Sequence, residues 1–367
     1  MIIESGITIG SNITVGDLPT SPYLPPYLYS FSTFTFRTGN TVGPTGANAA
    51  WLFGNSYSNV GNTWLTSTST FNIVNGYQYW TVPATGTYTI TAAGARSGIS
   101  TWSANLTSAN LYGRGATVSG TFVLAQGQVI AIAVGQPSAN TASASYNSAG
   151  GGGGTFVVLG NTFPLVVAGG GGGTGNYSGP SLFGANGSTN TSGTSSYNGA
   201  PGGINGLGGN SHINSSQTTS LNLYDSGAGG GFSSNGASGS SNTTRDGSAT
   251  GNYGGGGRGF AFGLIGGAFS PGFAPPSTSS GGFGGGGGAG PITGGGGGGY
   301  SGGGGAYAAS QPITDGGGAG GSWVAANAVA IATHTGTFNG SGTFGSLTVI
   351  TVGLLNTGPG YVTITKV

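Results

Sequence analysis

Side chains that could carry acid–base chemistry are scarce in this sequence. The 367 residues contain no cysteine, and the full set of acidic and histidine side chains is Glu4, Asp17, Asp225, Asp246, Asp315, His212 and His334. Catalysis and metal binding need such groups gathered at one site, and their spacing here shows no such grouping. We predict no catalytic residue, no cofactor and no metal site. A calcium site using Asp225, Asp246 and Asp315 stays open, but we expect these three to be solvated turn residues.

One short motif resembles a hydrolase signature. Residues 299–303 read Gly-Tyr-Ser-Gly-Gly, which fits the G-x-S-x-G pattern around a nucleophilic serine. The pattern needs a strand, a sharp turn and a helix around it, and that context is missing. Chance matches are expected in a chain with 86 glycines. We therefore predict that the protein is not an enzyme.

The composition narrows the possible partners. Only 3% of residues are charged and the formal net charge is +1, so a basic surface that follows nucleic acid phosphates is not expected. Aromatic residues make up 10%, which is more than disordered chains usually carry. No apolar run reaches the length of a membrane span, and the first residues lack the pattern of a signal peptide. We predict a folded protein with no membrane span and no nucleic acid partner.

Glycine dominates the second half of the chain. Runs such as residues 284–288 and 294–299 contain glycine alone. An ordered glycine run must pair its own N–H and C=O groups, because it has no side chains to do so. The polyproline-II-type helix, which has three residues per turn, turns these groups outward toward neighbouring segments. We therefore predict a bundle of polyglycine-II-type helices, in which a run of six residues is about 18 Å long.

Alternating apolar residues predict strands before and after the glycine runs. The predicted strands are residues 34–36, 71–74, 79–82, 87–91, 117–124, 128–134, 155–159, 163–168, 323–331, 345–352 and 361–365. Many short strands without a helical period indicate an all-β fold, either a β-sandwich or a jelly roll. The predicted inner faces carry Trp80, Tyr88, Ile90, Val129, Ile132, Val157 and Val166. The glycine-rich bundle is then an insertion into the sandwich.

The N-terminal segment contains a six-residue repeat. Residues 6–11 and 12–17 each place apolar residues at alternating positions, namely Ile7, Ile9, Ile13 and Val15. Two hypotheses stay open: an attachment strand that adds to a partner, and an edge strand of the chain's own sheet. Our predicted organisation is the repeat at 1–17, a Pro/Tyr linker at 18–30, the sandwich at 31–168 and 322–367, and the glycine-rich bundle at 169–321.

Polar inserts separate the glycine runs and contain aromatic residues. The inserts are residues 174–200, 210–225, 232–253 and 268–280, and we expect them to be loops displayed by a rigid bundle. Aromatic rings beside amide and hydroxyl groups suit sugar or protein surfaces, so the candidate receptor-binding residues are Tyr177, Phe183, Tyr197, Tyr224, Phe269 and Phe273. Other aromatic residues are expected to seal the bundle, namely Phe260, Phe262, Phe283, Tyr300 and Tyr307.

Four stretches resemble known proteins. Residues 80–90, 164–173, 299–304 and 360–365 resemble glycine-rich virion structural proteins of marine tailed phages. The order of strand, glycine block and closing strand is also similar to the glycine-rich domain of receptor tyrosine kinases of the anaplastic lymphoma type. Those kinase domains contain disulfides, whereas this chain has no cysteine, which favours a phage protein assembled in a reducing cytosol.

The resemblance implies a virion component of the tail or fibre. The expected function is a non-enzymatic tail-fibre or adhesin subunit that displays receptor-recognition loops, made in the host cytoplasm and acting outside the cell. Expected partners are other virion proteins or copies of the chain itself in a homo-oligomer, with a host surface glycan or protein as receptor. The alternative is a self-assembling extracellular filament or capsid-decoration protein built by strand addition.

Overall fold

A computed structural model describes most of the chain after the N-terminal segment. The described residues are 27–58, 61–99, 112–140, 148–175, 183–211, 224–239, 244–249, 253–270, 279–307, 315–325 and 355–367. The repeat that contains Ile7, Ile9, Ile13 and Val15 lies outside them, as does the predicted strand at 345–352.

The part of the chain that the structure describes is all-β, with two antiparallel sheets and one short α-helix. In chain order the strands are β1 (Thr33–Phe36), β2 (Phe71–Val74), β3 (Tyr77–Thr81), β4 (Gly86–Ala93), β5 (Gly115–Leu124), β6 (Val129–Ala133), β7 (Thr155–Leu159), β8 (Phe163–Ala168), β9 (Trp323–Val324), β10 (Leu355–Asn356) and β11 (Tyr361–Lys366). One sheet has the order β1-β11-β4-β5-β10 and the other has the order β2-β3-β6-β7-β8-β9. The all-β prediction is confirmed.

One apolar core lies between the two sheets. It contains Ile90 and Val118 from the first sheet and Trp80, Ile132 and Val157 from the second, all fully or nearly fully buried. Of the seven predicted inner-face residues, six belong to this core, namely Trp80, Tyr88, Ile90, Ile132, Val157 and Val166.

The prediction for Val129 is wrong. This side chain is 44% exposed. Side chains of a strand alternate between faces, so Ile130 and Ile132 point into the core of the sandwich while Val129 shares the opposite face with Ala131. Placing Val129 and Ile132 on one face would break that alternation.

The helix α1 (Ala49–Asn55) was not predicted. Its first turn is capped by Asn48, whose side-chain oxygen accepts a hydrogen bond of 2.8 Å from the backbone N–H of Trp51. Leu52 is its one buried residue, so the helix has no apolar periodicity for sequence analysis to detect. It packs beside β2 through Phe53, whose ring meets that of Phe71 at 6.3 Å.

Strand β2 forms an edge of the six-stranded sheet, but its outward N–H groups are already paired. The Phe71 N–H donates to the Ser67 carbonyl at 2.9 Å, and the Ile73 N–H donates to the Asn72 side chain at 2.9 Å. An edge with satisfied donors is a poor template for another strand. Strand addition at β2 is therefore disfavoured.

The strands continue at one end of the sheets into closely packed glycine segments, which we call the glycine array. Its segments are residues 149–154, 169–173, 226–231, 254–259, 284–288, 294–299, 302–306 and 315–321, and backbone hydrogen bonds join them. Residues 149–154 lead directly into β7, and residues 169–173 follow β8. The backbone groups of this glycine-rich region thus find their partners in neighbouring segments.

The hydrogen bonds of segment 294–299 repeat every three residues. Successive N–H groups donate to three neighbouring segments in turn, so every third N–H reaches the same segment. The donor–acceptor pairs, at 2.9–3.2 Å, are Gly294–Asp315, Gly295–Ala149, Gly296–Gly227, Gly297–Gly318, Gly298–Gly152 and Gly299–Gly230. The carbonyls of this segment accept hydrogen bonds from three other segments. The donors are the N–H groups of Ala306 and Gly303 in segment 302–306, of Gly173 and Gly170 in segment 169–173, and of Gly287 in segment 284–288. Six segments therefore surround this one.

Burial of tyrosine hydroxyls makes stability sensitive to high pH. The pKa of Tyr57 is raised, mainly because the side chain is buried. Its hydroxyl donates a hydrogen bond of 2.6 Å to the side-chain oxygen of Gln78. An unfolded tyrosine ionises near pH 10, so above that pH the unfolded state loses a proton that the folded state keeps. We expect the free energy of unfolding to fall as pH rises above about 10.

Urea unfolding between pH 8 and pH 11 measures this effect. The Tyr57→Phe variant removes the ionisable hydroxyl along with its hydrogen bonds. It should be less stable at pH 8 and lose less stability than the wild type between pH 9 and pH 11. An equal loss in both proteins would show that Tyr57 is not the group responsible.

Candidate recognition sites at the distal end and the aromatic clefts

The glycine array has two different ends. At the end marked by Gly299 it meets the sheets, and the opposite end, marked by Gly294, is called the distal end. Eight stretches outside the described ranges have both flanking residues at the distal end, namely 100–111, 141–147, 176–182, 212–223, 240–243, 250–252, 271–278 and 308–314. Examples of bonds at this level are Ala149 to Thr174, Ser226 to Ala306 and Ala289 to Ser279. The described residues that flank these eight stretches thus lie together at one end of the molecule.

Four predicted receptor-binding residues fall in segments at the distal end. Phe183 and Tyr197 are 41% and 64% exposed. Tyr224 and Phe269 are half-buried; the Tyr224 carbonyl accepts a hydrogen bond from Thr293. Tyr177 and Phe273 lie outside the described residues. The structure therefore brings Phe183, Tyr197, Tyr224 and Phe269 to one end, although they are far apart in sequence.

Two aspartates at this end differ from the prediction. Asp225 and Asp315 are buried, whereas Asp246 is exposed and accepts a 2.9 Å hydrogen bond from the Ser248 N–H, as a turn residue does. Asp225 and Asp315 lie where segments enter the array, and their carbonyls accept bonds from Gly254 and Gly294. Solvated turns were therefore the wrong expectation for these two.

The side chain of Tyr307 lies near both buried aspartates. Burial, with the negative charges of Asp225 and Asp315 adding to it, raises the pKa of Tyr307. Its hydroxyl donates to the Asn198 carbonyl at 3.1 Å. Within the described residues no group of three or more acidic or histidine side chains is arranged to hold a metal ion.

The insert 174–200 is not a loop along its whole length. Ala185 and Ser188 donate to Gly317 and Gly320 at 3.0 Å, and Thr194 donates to Ala319 at 2.9 Å. This stretch is therefore an outer segment of the glycine array. Sequence analysis interpreted its polar side chains as a loop, but the segment is joined to the array by backbone hydrogen bonds, which do not depend on the side chains.

An aromatic seam joins the other end of the array to the outer face of the six-stranded sheet. The seam consists of Phe283, Tyr77, Phe260, Phe232, Tyr300 and Trp323, whose successive ring centroids lie 4.6–6.3 Å apart. It covers Phe156, Val158 and Val167, which explains why β7 and β8 are buried on both faces.

The sealing residues were only partly predicted. Phe260 and Phe283 are buried, and Tyr300 packs against them as a half-buried member of the same cluster. Phe262 is 50% exposed, because it lies in a short 3-10 turn that directs Phe260 inward instead. Tyr307 belongs to the distal end rather than to the seam.

A cleft of about 220 Å³ opens at the Trp323 end of the seam. Its aromatic lining consists of Phe163, Phe232, Tyr300 and Trp323. Tyr300 and Trp323 stack at 4.6 Å, and the indole N–H donates to the Pro164 carbonyl at 3.1 Å, which fixes the ring. A tyrosine hydroxyl is neutral at physiological pH, and burial raises the pKa of Tyr300 further.

The rim of this cleft is polar and uncharged. Thr162, Asn205 and Ser233 lie there with exposed side chains. Gly206 forms part of the wall with φ of +84°, and Ser233 bonds to its carbonyl through both the backbone N–H and the side chain. None of these residues was predicted as a site, since they come from three separate stretches of the chain.

The serine of the G-x-S-x-G motif has a structural role beside this cleft. Ser301 is fully buried, and its hydroxyl accepts a hydrogen bond of 3.1 Å from the Gly206 N–H. The motif therefore supports the cleft wall through Ser301.

A larger cleft of about 530 Å³ lies at the Phe283 end of the seam. Asn48, Asn75 and Ile265 line it, but Phe283 is only 1% exposed there. This cleft therefore lacks an accessible aromatic surface of the kind that Tyr300 and Trp323 provide.

Comparison with protein-family models found no match, and neither did comparison with curated protein sequences. Among the described residues, no helix has the length and apolar character required to cross a bilayer. The arguments about function therefore rest on the geometry of the chain.

The sheet end opposite the glycine array, called the base, holds the first and last described residues. Leu28 donates to the Pro83 carbonyl at 2.7 Å, and Val367 donates to the Thr87 carbonyl at 2.9 Å. Both bonds lie beside the β3–β4 turn, while the other end of β4 continues into the array. The first described residues are thus far from the distal end.

Proposed function

We propose that the glycine segments are polyglycine-II-type helices. The three-residue repeat of the hydrogen bonds around 294–299 supports this, because a helix with three residues per turn points every third N–H in one direction. Close packing supports it too, since a Cβ on most array glycines would lie closer than 3.0 Å to a neighbouring backbone atom. For the sheets we favour a β-sandwich over a jelly roll, because β2–β3, β4–β5 and β7–β8 pair within one sheet as sequence neighbours.

We further propose that the protein is a non-enzymatic phage virion component, a tail-fibre or adhesin subunit. The observation that carries this proposal is its two-ended organisation. The first described residues lie at the base, the array extends away from it, and the residues that flank eight further stretches of the chain lie at the distal end. A rigid scaffold that presents connecting segments at one end is suited to recognition.

In this proposal the two ends have different partners. The distal end, with Phe183 and Tyr197 exposed, binds a host surface glycan or protein. The base, through the N-terminal repeat, binds other virion proteins or copies of the chain in a homo-oligomer. The protein is then made in the host cytoplasm and acts outside the cell as part of the virion.

Cell binding by the purified protein tests the distal end. We expect the double variant Phe183→Ser and Tyr197→Ser to bind at least about tenfold less well to any bacterial strain that the wild type labels, since two exposed aromatic contacts are lost. Flow cytometry with fluorescent protein over a panel of strains measures this. Urea unfolding should be nearly unchanged, because both side chains are exposed.

Val129→Ser is the control, since Val129 is 44% exposed, close to the value for Phe183, but lies at the base. Loss of cell binding in this control, with full binding by the distal double variant, would contradict the assignment of the two ends. Light scattering with and without residues 1–17 examines assembly. Open-ended growth that needs this repeat would favour the alternative, a filament or decoration protein.

A further inference from the structure

The small aromatic cleft beside Trp323 is separate from the distal end. Its polar rim residues, Thr162 and Asn205, come from the β7–β8 turn and from a turn of the array next to the sheets. Its role therefore does not depend on the proposed adhesin function. We propose that this cleft binds one neutral hexopyranose unit, either a free sugar or a terminal residue of a glycan.

The chemistry of the cleft matches a sugar ring. A pyranose has an apolar C–H side, which aromatic rings cover, and a rim of hydroxyls, which need hydrogen-bonding partners. Phe163, Tyr300 and Trp323 supply the aromatic surface, and the side chains of Thr162 and Asn205 supply donors and acceptors at the rim. The volume of about 220 Å³ suits a single ring rather than a chain of sugars.

The charge of the cleft restricts the class of sugar. All of its lining residues are uncharged. An anionic sugar would lose water around its carboxylate or phosphate without gaining a cationic partner. The Tyr300 hydroxyl is neutral for the reason given above, so it can donate to a sugar oxygen. The cleft thus favours neutral hexoses.

The walls of the cleft are also preorganised for binding a sugar. Trp323 is fixed by its bond to Pro164, and Gly206 by bonds to Ser301 and Ser233. Walls that are already ordered lose little conformational entropy on binding. Gly206 contributes by having no side chain, since a Cβ there would lie 3.7 Å from the Tyr300 Cζ atom and narrow the cleft.

Saturation-transfer NMR with the full-length protein tests the proposal. The probes are the methyl glycosides of glucose, galactose and mannose, together with N-acetylglucosamine. We expect at least one to bind. Thr162→Val keeps the shape but removes a hydroxyl, and Asn205→Gly keeps the positive φ of 53° but removes an amide. Each should weaken binding about fivefold, as expected for one hydrogen bond.

Trp323→Leu should weaken binding tenfold or more, and Trp51→Leu is its control because Trp51 is exposed away from the cleft. No binding of any probe to the wild type would overturn the proposal. Equal binding by the wild type, Thr162→Val and Asn205→Gly would do so as well. If a triproline peptide bound to the cleft more tightly than every sugar tested, the proposal that the ligand is a sugar would be wrong.

Discussion

Replacing Gly298 by alanine will lower the free energy of unfolding by about 3 kcal/mol or more, an overpacking cost at the upper end of the usual range. A Cβ at this position would lie closer than 3.0 Å to the Gly284 carbonyl oxygen and to carbon and oxygen atoms of Gly285. These are backbone atoms that no rotamer change can move. Gly298 also bonds to Gly152 and Gly170, so any shift breaks hydrogen bonds on two further sides.

Urea unfolding of Gly298→Ala is best compared with that of Gly54→Ala. Gly54 lies in α1 and is exposed, and apart from the backbone of its own helix no atom lies within 4 Å of the position that an added methyl group would take. Alanine there should stabilise the protein by about 0.5–1 kcal/mol through helix propensity. Equal stability of the two variants would show that the array does not depend on the absence of side chains at its centre.

The strands could be predicted because the alternation of apolar and polar residues along a strand is a local signal in the sequence. Strands β2, β7 and β8 have the bounds that the alternation indicates. Helix α1 was missed because a single buried residue leaves no period, and Val129 was misplaced by an error of alternation. Local patterns therefore predicted ten of the eleven described strands, but neither β10 nor the short helix.

The candidate sites were less predictable, because they depend on how the glycine segments are aligned. Sequence composition marked Phe183 and Tyr197 as candidates, and register alone brings them to the distal end. The cleft of Tyr300 and Trp323 joins residues from separate segments, so no motif could mark it. A glycine run carries almost no information about register, since every residue is identical.

The array and the sheets should behave as one folding unit because of the seam. Phe283 is 1% exposed, and its ring contacts Tyr77 of β3 at 6.2 Å. Its N–H donates to Gly43 and its carbonyl accepts from Gln136, so one residue binds the array to two parts of the sandwich. We expect Phe283→Ala to lower the free energy of unfolding by about 3–5 kcal/mol, the usual cost of removing a buried phenylalanine.

Phe262→Ala is the control, since this phenylalanine of the same region is 50% exposed and should cost less than about 1 kcal/mol. Urea unfolding should be followed both by tryptophan fluorescence and by amide hydrogen exchange of the array glycines. A single shared transition, shifted by Phe283→Ala, is the expected result, because the Tyr77 hydroxyl also bonds across the seam to Phe260 at 2.8 Å. Separate transitions in the wild type would mean that the array folds without the sheets, and the seam would then serve only to orient the distal end.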